Sequence, residues 1–259
     1  MSQIGRFDTD TAALQARNAA HARYSTGDMT GWALELLGAG PDDRVLELGA
    51  GTGQQTLRLA PQVRSILAVD AAQESLDVIA AGAPANVRTL CGRFDDLADR
   101  ACDARFDRAL SCYALYYADD QERVIDRIHE LLEPGGVLFF CGPSRANNRE
   151  LRELHFGLLG EPVPGATPAQ AFMEDDAPRW CEARFATVER HEFTDAMRFD
   201  SADALVGYWS SYNLYDPALE DRFRAAADAH FAEHDEFVSA KRVVGIRAVK
   251  ADQPASARS

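Results

Sequence analysis

Lysine is nearly missing from this chain. Of 27 basic side chains only Lys241 and Lys250 are lysines; the rest are arginines. An Arg-, Ala- and Asp-rich usage of this kind is what a GC-rich bacterial genome gives. The scarcity excludes a reductase site that needs a tyrosine with a lysine four residues on, since neither lysine has a tyrosine at that spacing. Paired cysteines are also lacking. Cys91, Cys102, Cys112, Cys141 and Cys181 are odd in number and contain no C-x-x-C, which supports neither a disulfide framework nor a zinc site. Reduced, mostly buried thiols are the expectation. His155, His191, His230 and His234 offer one i,i+4 pair, His230/His234, and it lies on a charge-rich helix that reads as a solvated face, so no metal is expected. No apolar run approaches membrane-spanning length, and MSQIGRFDTD has no basic region leading into an apolar one. No signal peptide is expected, and the protein is expected to be cytoplasmic.

Positive charge is the minority sign: 41 acidic against 27 basic side chains give −14. Such a field repels phosphate backbones and anionic membrane surfaces, so neither nucleic acid nor membrane is an expected partner. It suits a neutral or cationic ligand. A monomer or homodimer is expected.

What is present is an ordinary globular balance, 46% apolar and 26% charged over 259 residues, enough for one large α/β domain. There is no internal repeat. Helices are expected at Thr11–Ala22 and Thr30–Leu37, the second closed by Gly38-Ala39-Gly40-Pro41. Short apolar strands at Arg44–Leu48, Ser65–Val69, Val87–Leu90, Phe106–Cys112 and Val137–Cys141 then alternate with helices at Gln54–Ala60, Gln73–Ala81 and Gln121–Leu132. That succession implies a parallel sheet with right-handed crossovers, covered on both faces. Beyond Pro143 the rhythm changes. Helices are read at Arg149–Leu159, Ala202–Tyr212 and Leu219–Glu233, and strands at Thr187–Phe193 and Val243–Val249. We expect a single domain over 1–250, with N-terminal helices over 1–40, lid and substrate-side insertions over 143–236, and a frayed tail over 251–259.

The run Val45-Leu46-Glu47-Leu48-Gly49-Ala50-Gly51-Thr52-Gly53 leaves a buried strand and enters a helix. Its glycines allow a tight turn and close approach of a ligand, and the helix start at Gln54 favours a negative group. The glycine spacing does not meet the dinucleotide fingerprint, and no Lys-Ser/Thr pair makes a phosphate loop. Glu47 decides between ligands. A carboxylate there would repel a pyrophosphate but attract an ammonium and a sulfonium. S-adenosylmethionine (SAM) carries both, with one carboxylate for the helix start.

Glu47-x-Gly49-x-Gly51-x-Gly53 resembles motif I of the class I SAM-dependent methyltransferases, of small-molecule type. The resemblance extends over residues 44–142. Ala68-Val69-Asp70 ends the second strand with an acid, and the family assigns that acid to the ribose hydroxyls. The competing reading of Asp70 is a helix cap. Gly92-Arg93-Phe94-Asp95-Asp96-Leu97 resembles the segment that closes over adenine. Arg93 stands where many members carry an acid, which leaves Asp95 and a flat contact from Phe94 as the candidates. Phe106–Tyr117 resembles motif IV, and Leu131–Val137 resembles the turn before strand five. The resemblance implies a Rossmann-like doubly wound α/β fold with a seven-stranded sheet, mostly parallel with an antiparallel last strand, plus an inserted helical lid.

The expected SAM-binding set is Tyr24, Glu47, Gly49, Ala50, Gly51, Gly53, Gln54, Asp70, Phe94, Asp95, Ser111 and Cys112. Tyr24 could equally be a core tyrosine. The acceptor is expected against Tyr113, Tyr116, Tyr208, Trp209, Tyr212 and Tyr215; Tyr208, Tyr212 and Tyr215 fall at i, i+4 and i+7 of one helix face. Docking of that face on the sheet is the competing reading. Tyr117, His155 and His191 are the candidate bases, needed only if the acceptor is protonated. The expected activity is methyl transfer from SAM to a small molecule, with a place in bacterial secondary metabolism. Ser111-Cys112-Tyr113-Ala114 lacks the Asn/Asp-Pro-Pro-aromatic run of nucleic-acid amino methyltransferases, and no paired-glutamate loop of protein arginine methyltransferases is present. Two alternatives stay open: other SAM chemistry, such as aminocarboxypropyl transfer or cyclisation, and a non-catalytic SAM-binding protein.

Overall fold

Apolar strands without polar alternation need cover on both faces, and the computed structural model, which describes residues 11–96, 105–212 and 214–252, supplies it. Strand β1 (Arg44–Leu48) is the example: Val45 packs on one side of the sheet while Leu46 and Leu48 pack on the other, all three fully buried. With β2 (Ser65–Asp70), β3 (Val87–Cys91), β4 (Phe106–Cys112), β5 (Leu132–Pro143), β6 (Thr187–Phe199) and β7 (Phe237–Val249) it forms one seven-stranded sheet of order β3-β2-β1-β4-β5-β7-β6. The first five strands pair in parallel, and β7 runs antiparallel to both of its neighbours. The expected doubly wound α/β sheet with an antiparallel last strand is what folds.

Helix α1 (Thr11–Tyr24) packs against β6 near Phe199, and on one face of the sheet lie α2 (Met29–Leu37), α3 (Gln54–Leu59) and α4 (Gln73–Gly82). On the other lies α5 (Gln121–Leu131), whose Val124, Ile125, Ile128 and Leu131 are buried at helical spacing. The chain leaves β1 for β2 and β3 on one side and returns to β4 on the other. The carboxyl ends of β1 and β4 therefore flank the point where strand order reverses, the place where open α/β sheets bind ligands.

Beyond β5 the chain forms α6 (Arg149–Leu159), α7 (Pro168–Ala171) and α8 (Ala177–Glu182) with a π turn at Phe172–Asp176 between them, then α9 (Ala202–Ser210) and α10 (Glu220–Glu233). Several boundaries differ from expectation, β5 (Leu132–Pro143) among them, and two of the differences matter for the site. β6 and β7 are longer than their apolar cores. β5 ends at Pro143, opposite Val243, but β6 and β7 continue pairing as far as Phe199 and Phe237. This two-stranded extension carries Met197 and Phe199 into a third cluster, with Leu151, Tyr208, Trp209 and Phe223, and the lid is built on it. Polar residues such as Thr194, Asp195, Lys241 and Arg242 interrupt the apolar pattern there, which is why the sequence reads as shorter strands. The second difference is that α9 stops at Ser210, so Tyr212 and Tyr215 are not on its face.

Candidate active site

The loop after β1 is forced by glycine. Gly49, Gly51 and Gly53 have φ of 74°, 51° and 87°, the left-handed region that L side chains rarely occupy. Gly49 is also sterically closed: a Cβ there would sit 2.1 Å from the Cβ of Ala114. The amides of Gly49 and Ala50 both donate to Val69 O, at 2.8 and 3.1 Å, which ties the loop to β2. Asp70 ties it a second time. Its Oδ2 accepts from Gly51 N at 2.7 Å and its Oδ1 from Ala72 N at 2.9 Å. The carboxylate thus organises both loops at this edge of the cleft; it does not cap α4, whose N-cap is Ala72 with no side-chain hydrogen bond.

Glu47 is 2% exposed and Oε2 accepts a 2.6 Å hydrogen bond from Thr56 Oγ1. Thr56 is fully buried on α3, so the glutamate's one donor among the described residues is a neutral hydroxyl. Burial pushes the Glu47 carboxyl up to about 7; the Thr56 hydroxyl opposes the rise and the neighbouring Asp70 charge adds to it. A carboxylate held in this way lacks a cation. Thr56 was not legible as part of the site because its partner lies nine residues away across a turn.

The far wall comes from β3 and β4. Phe94 points its Cζ to within 3.5 Å of where a Gly49 side chain would begin. Asp95 turns the other way: its oxygens accept from Asp119 N at 3.3 Å and Asp120 N at 3.1 Å, so it holds the loop before α5 and not the cleft. Ser111 is fully buried and donates to Leu48 O at 2.9 Å, a strut between the ends of β1 and β4. Neither fits the ligand role expected of it. Cys112 and Cys141 face each other in register. A hydrogen bond to Cys141 and then burial raise the Cys112 thiol far above its usual range, which keeps it neutral.

Tyr113 follows Cys112 at a φ of 58°, and its amide donates to Cys141 O at 2.8 Å. Burial raises its phenol, and Tyr212 and Tyr208 lie close enough to add to the rise. Tyr208 and Tyr212 stack at 5.9 Å, the ring of His21 meets Tyr208 edge-on at 5.8 Å, and Asn148 Nδ2 donates to Tyr208 Oη at 3.0 Å. The structure therefore brings Tyr113, Tyr208 and Tyr212 together. Tyr116 and Tyr117 lie edge to face at 4.6 Å, with Tyr116 turned toward Phe172 on the opposite face of the sheet.

The remaining candidates separate from this cleft. Trp209 is fully buried, stacked on Phe223 at 4.1 Å and 4°, and its indole N–H donates to His155 Nδ1 at 3.3 Å. Trp209 and His155 are lid interior, which corrects both their expected roles: a bulky apolar stripe on α9 buries one side against α10. Tyr215 donates to Glu220 Oε2 at 2.7 Å on the lid rim. Tyr24 packs on Phe199 at 5.1 Å, in the lid cluster. His191 sits on edge strand β6, 3.5 Å from Glu189, and Trp32 covers Gly245, its register partner on β7. Gln54 is exposed at the start of α3.

Among the described residues no cluster of three or more His, Cys, Asp or Glu could hold a metal ion, and no helix is long and apolar enough to cross a membrane.

Comparison with known proteins agrees with this architecture. Residues 45–136 match the family described as a methyltransferase domain. An uncharacterised methyltransferase of Mycobacterium bovis is 36% identical over 124 residues, 46% of this chain and 49% of that protein. A demethylmenaquinone methyltransferase of a Mycobacterium species is 30% identical over 139 residues, 54% of this chain and 58% of that one. The chain thus spans about half the length of the curated relatives it matches. The YcgJ protein of Bacillus subtilis shares the fold, with a TM-score of 0.59 at 16% identity, covering 86% of this chain and 98% of that one. The glycine loop, Glu47 and Asp70 all fall within the matched segment. The match to the methyltransferase-domain family covers that segment alone.

Proposed function

We propose that this chain is an enzyme that binds SAM at the Gly49–Gly53 loop and transfers its methyl group to a small-molecule acceptor. The observation that carries the proposal is Glu47: a buried carboxylate with a single neutral donor, near the carboxyl end of β1 and just ahead of a loop whose backbone only glycine can follow. Such a group favours a ligand that brings its own cation. Gly49 is required by its positive φ and by packing against Ala114, and together these fix the path of the loop. When bound, SAM supplies an activated methyl on a sulfonium. Glu47 faces its ammonium, Asp70 its ribose hydroxyls, and Phe94 offers a flat contact to its adenine. Asp95 and Ser111 are left out of this set because their partners lie away from the glycine loop, at the amides before α5 and at Leu48 O, whereas Asp70 holds the loop amide of Gly51.

Tyr113 and Tyr212 form the acceptor side, with Tyr208, buried in the lid cluster, stacked behind Tyr212. Their work is orientation and exclusion of water, which suffices where the donor is already activated. Clustered phenols suit a small molecule with both apolar and polar edges. The chain's −14 charge argues against a nucleic-acid acceptor.

The test is in two steps. Calorimetry should give one site per chain for SAM and for S-adenosylhomocysteine, and none for NAD. Incubation with extracts and SAM should then release S-adenosylhomocysteine. NAD binding, or a folded protein that ignores SAM, overturns the reading; methylthioadenosine as product would assign other SAM chemistry.

A further inference from the structure

Lys241 is one of two lysines in the chain, and it is buried, 7% exposed on the two-stranded extension of β6 and β7. Burying an ammonium is costly unless something pairs with it. Here no oxygen among the described residues lies within ion-pair or hydrogen-bond distance of its Nζ, which instead stands 5.9 Å from the ring centre of Tyr113. The acid directly opposite in register is Asp195. Its carboxylate is engaged elsewhere: Ser25 Oγ donates to one oxygen, and Thr26 Oγ1 at 3.4 Å and Ala196 N at 2.8 Å donate to the other. Burial pushes Asp195 up, but the bonds from Ser25, Gly27 and Ala196 outweigh it and hold it below the usual carboxylate range. Asp195 therefore pins the α1–α2 connection and makes no ion-pair contact with the lysine, although each charge favours the other through space.

The other ionisable groups around Lys241 are neutral. The Cys112 thiol is raised by its bond to Cys141 and by burial, and the Tyr113 phenol is raised by burial with Tyr208 and Tyr212 contributing. Burial lowers Lys241 itself, while the Asp195 carboxylate pulls it back toward charge. Cys112 also feels Glu47, so the row Glu47, Cys112, Cys141, Lys241 crosses the carboxyl ends of the strands. Its two ends differ in sign. Glu47 marks the side that awaits a cation, and Lys241 marks the tyrosine side.

We propose that Lys241 is the specificity residue of the acceptor pocket: its ammonium binds an anionic oxygen, a carboxylate or an acidic hydroxyl, carried by the methyl acceptor. This rests on the proposed function, since it assigns a substrate class to the same cleft. The −14 net charge does not oppose it, because charges beyond ~8–10 Å are screened at physiological ionic strength and an ammonium acts at contact.

The experiment saturates the protein with S-adenosylhomocysteine and titrates two matched probe pairs. One is 4-hydroxybenzoate against 4-hydroxybenzamide, for a carboxylate. The other is 4-nitrophenol at pH 8 against 4-nitroanisole, for an acidic hydroxyl. We expect the anionic member of at least one pair to bind tenfold or more tighter than its neutral partner. Lys241→Met should abolish that preference, keep S-adenosylhomocysteine affinity within twofold, and melt at the same or a higher temperature, since it removes a buried charge that has no ion-pair contact. Lys241→Arg should retain part of the preference. No preference for an anion in either pair, including no binding at all, overturns the proposal, as does a Met variant that melts several degrees lower. Failure of S-adenosylhomocysteine to bind the wild type would instead overturn the proposed function.

Discussion

The hydroxyl of Thr56 donates a 2.6 Å hydrogen bond to Oε2 of Glu47, and both side chains are buried. This couples the end of β1 to the helix that follows the glycine loop, while burial, which the Thr56 bond opposes, pushes the Glu47 carboxyl up to about 7.

The first prediction is a pH dependence. Burial raises the Glu47 carboxyl to about 7 from an ordinary 4.5. A raised folded-state pKa contributes stability that is full below about 4.5 and lost as pH rises through about 7. The ligand-free protein should lose a few degrees of melting temperature between pH 5 and 8, and Glu47→Gln should flatten that part of the profile. The donor's ammonium wants the ionised form. SAM affinity should therefore climb on the order of tenfold from pH 5.5 to 7.5. A wild-type affinity flat across that range would remove the ammonium role.

The second prediction concerns Asp70. Sequence alone leaves a choice between ribose binding and capping; the structure adds that the carboxylate already holds Gly51 N and Ala72 N. Asp70→Ala should therefore cost both stability and affinity, with roughly 1.5–3 kcal/mol for each charge-assisted bond lost. Asp70→Asn retains an acceptor for one amide, so it should recover most of the melting temperature but not the affinity for SAM. Recovery of both together would assign the residue to loop structure alone.

Gly49→Ala should abolish SAM binding. The new Cβ would collide with Ala114 at 2.1 Å, and φ of 74° strains any side chain. The double variant Gly49→Ala/Ala114→Gly relieves the collision but not the strain. It should melt above the single variant; equal melting would mean the collision is absorbed elsewhere.

Residues 44–142 were legible because the determinants are local: glycines where φ is positive, an acid at a strand end, apolar runs of strand length. Asp95 and Ser111 fit the pattern by position and fail by orientation, which depends on the Asp119–Asp120 amides and on Leu48 O, both distant in sequence. Lys241 shows the opposite case. In the run Ser239-Ala240-Lys241-Arg242 nothing separates it from a solvated residue; only pairing with β6 beyond the end of β5 buries it. The lid was legible as helices but not as a packed unit, since its core draws on β6, β7, α6, α9 and α10 at once.

The last prediction separates two aromatics three residues apart. Trp209 and Tyr212 belong to one aromatic run, yet α9 ends between them at Ser210 and they face different neighbours. Trp209 stacks flat on Phe223, fully buried, and its N–H is satisfied by His155. Truncating such a side chain leaves a cavity, and Trp209→Ala should cost about 3–5 kcal/mol of stability. Trp209→Phe keeps the stack and loses the N–H, so it should cost less and leave SAM affinity unchanged at a temperature where it stays folded. Tyr212 is half-buried, stacked on Tyr208, and close to Tyr113. Tyr212→Ala should cost little stability by comparison and weaken acceptor turnover, again with SAM affinity unchanged. Thermal melts and SAM calorimetry on the two alanine variants decide the matter. If Tyr212→Ala melts as low as Trp209→Ala and turns over normally once folded, both rings are lid core, and the acceptor site narrows to Tyr113 and Lys241.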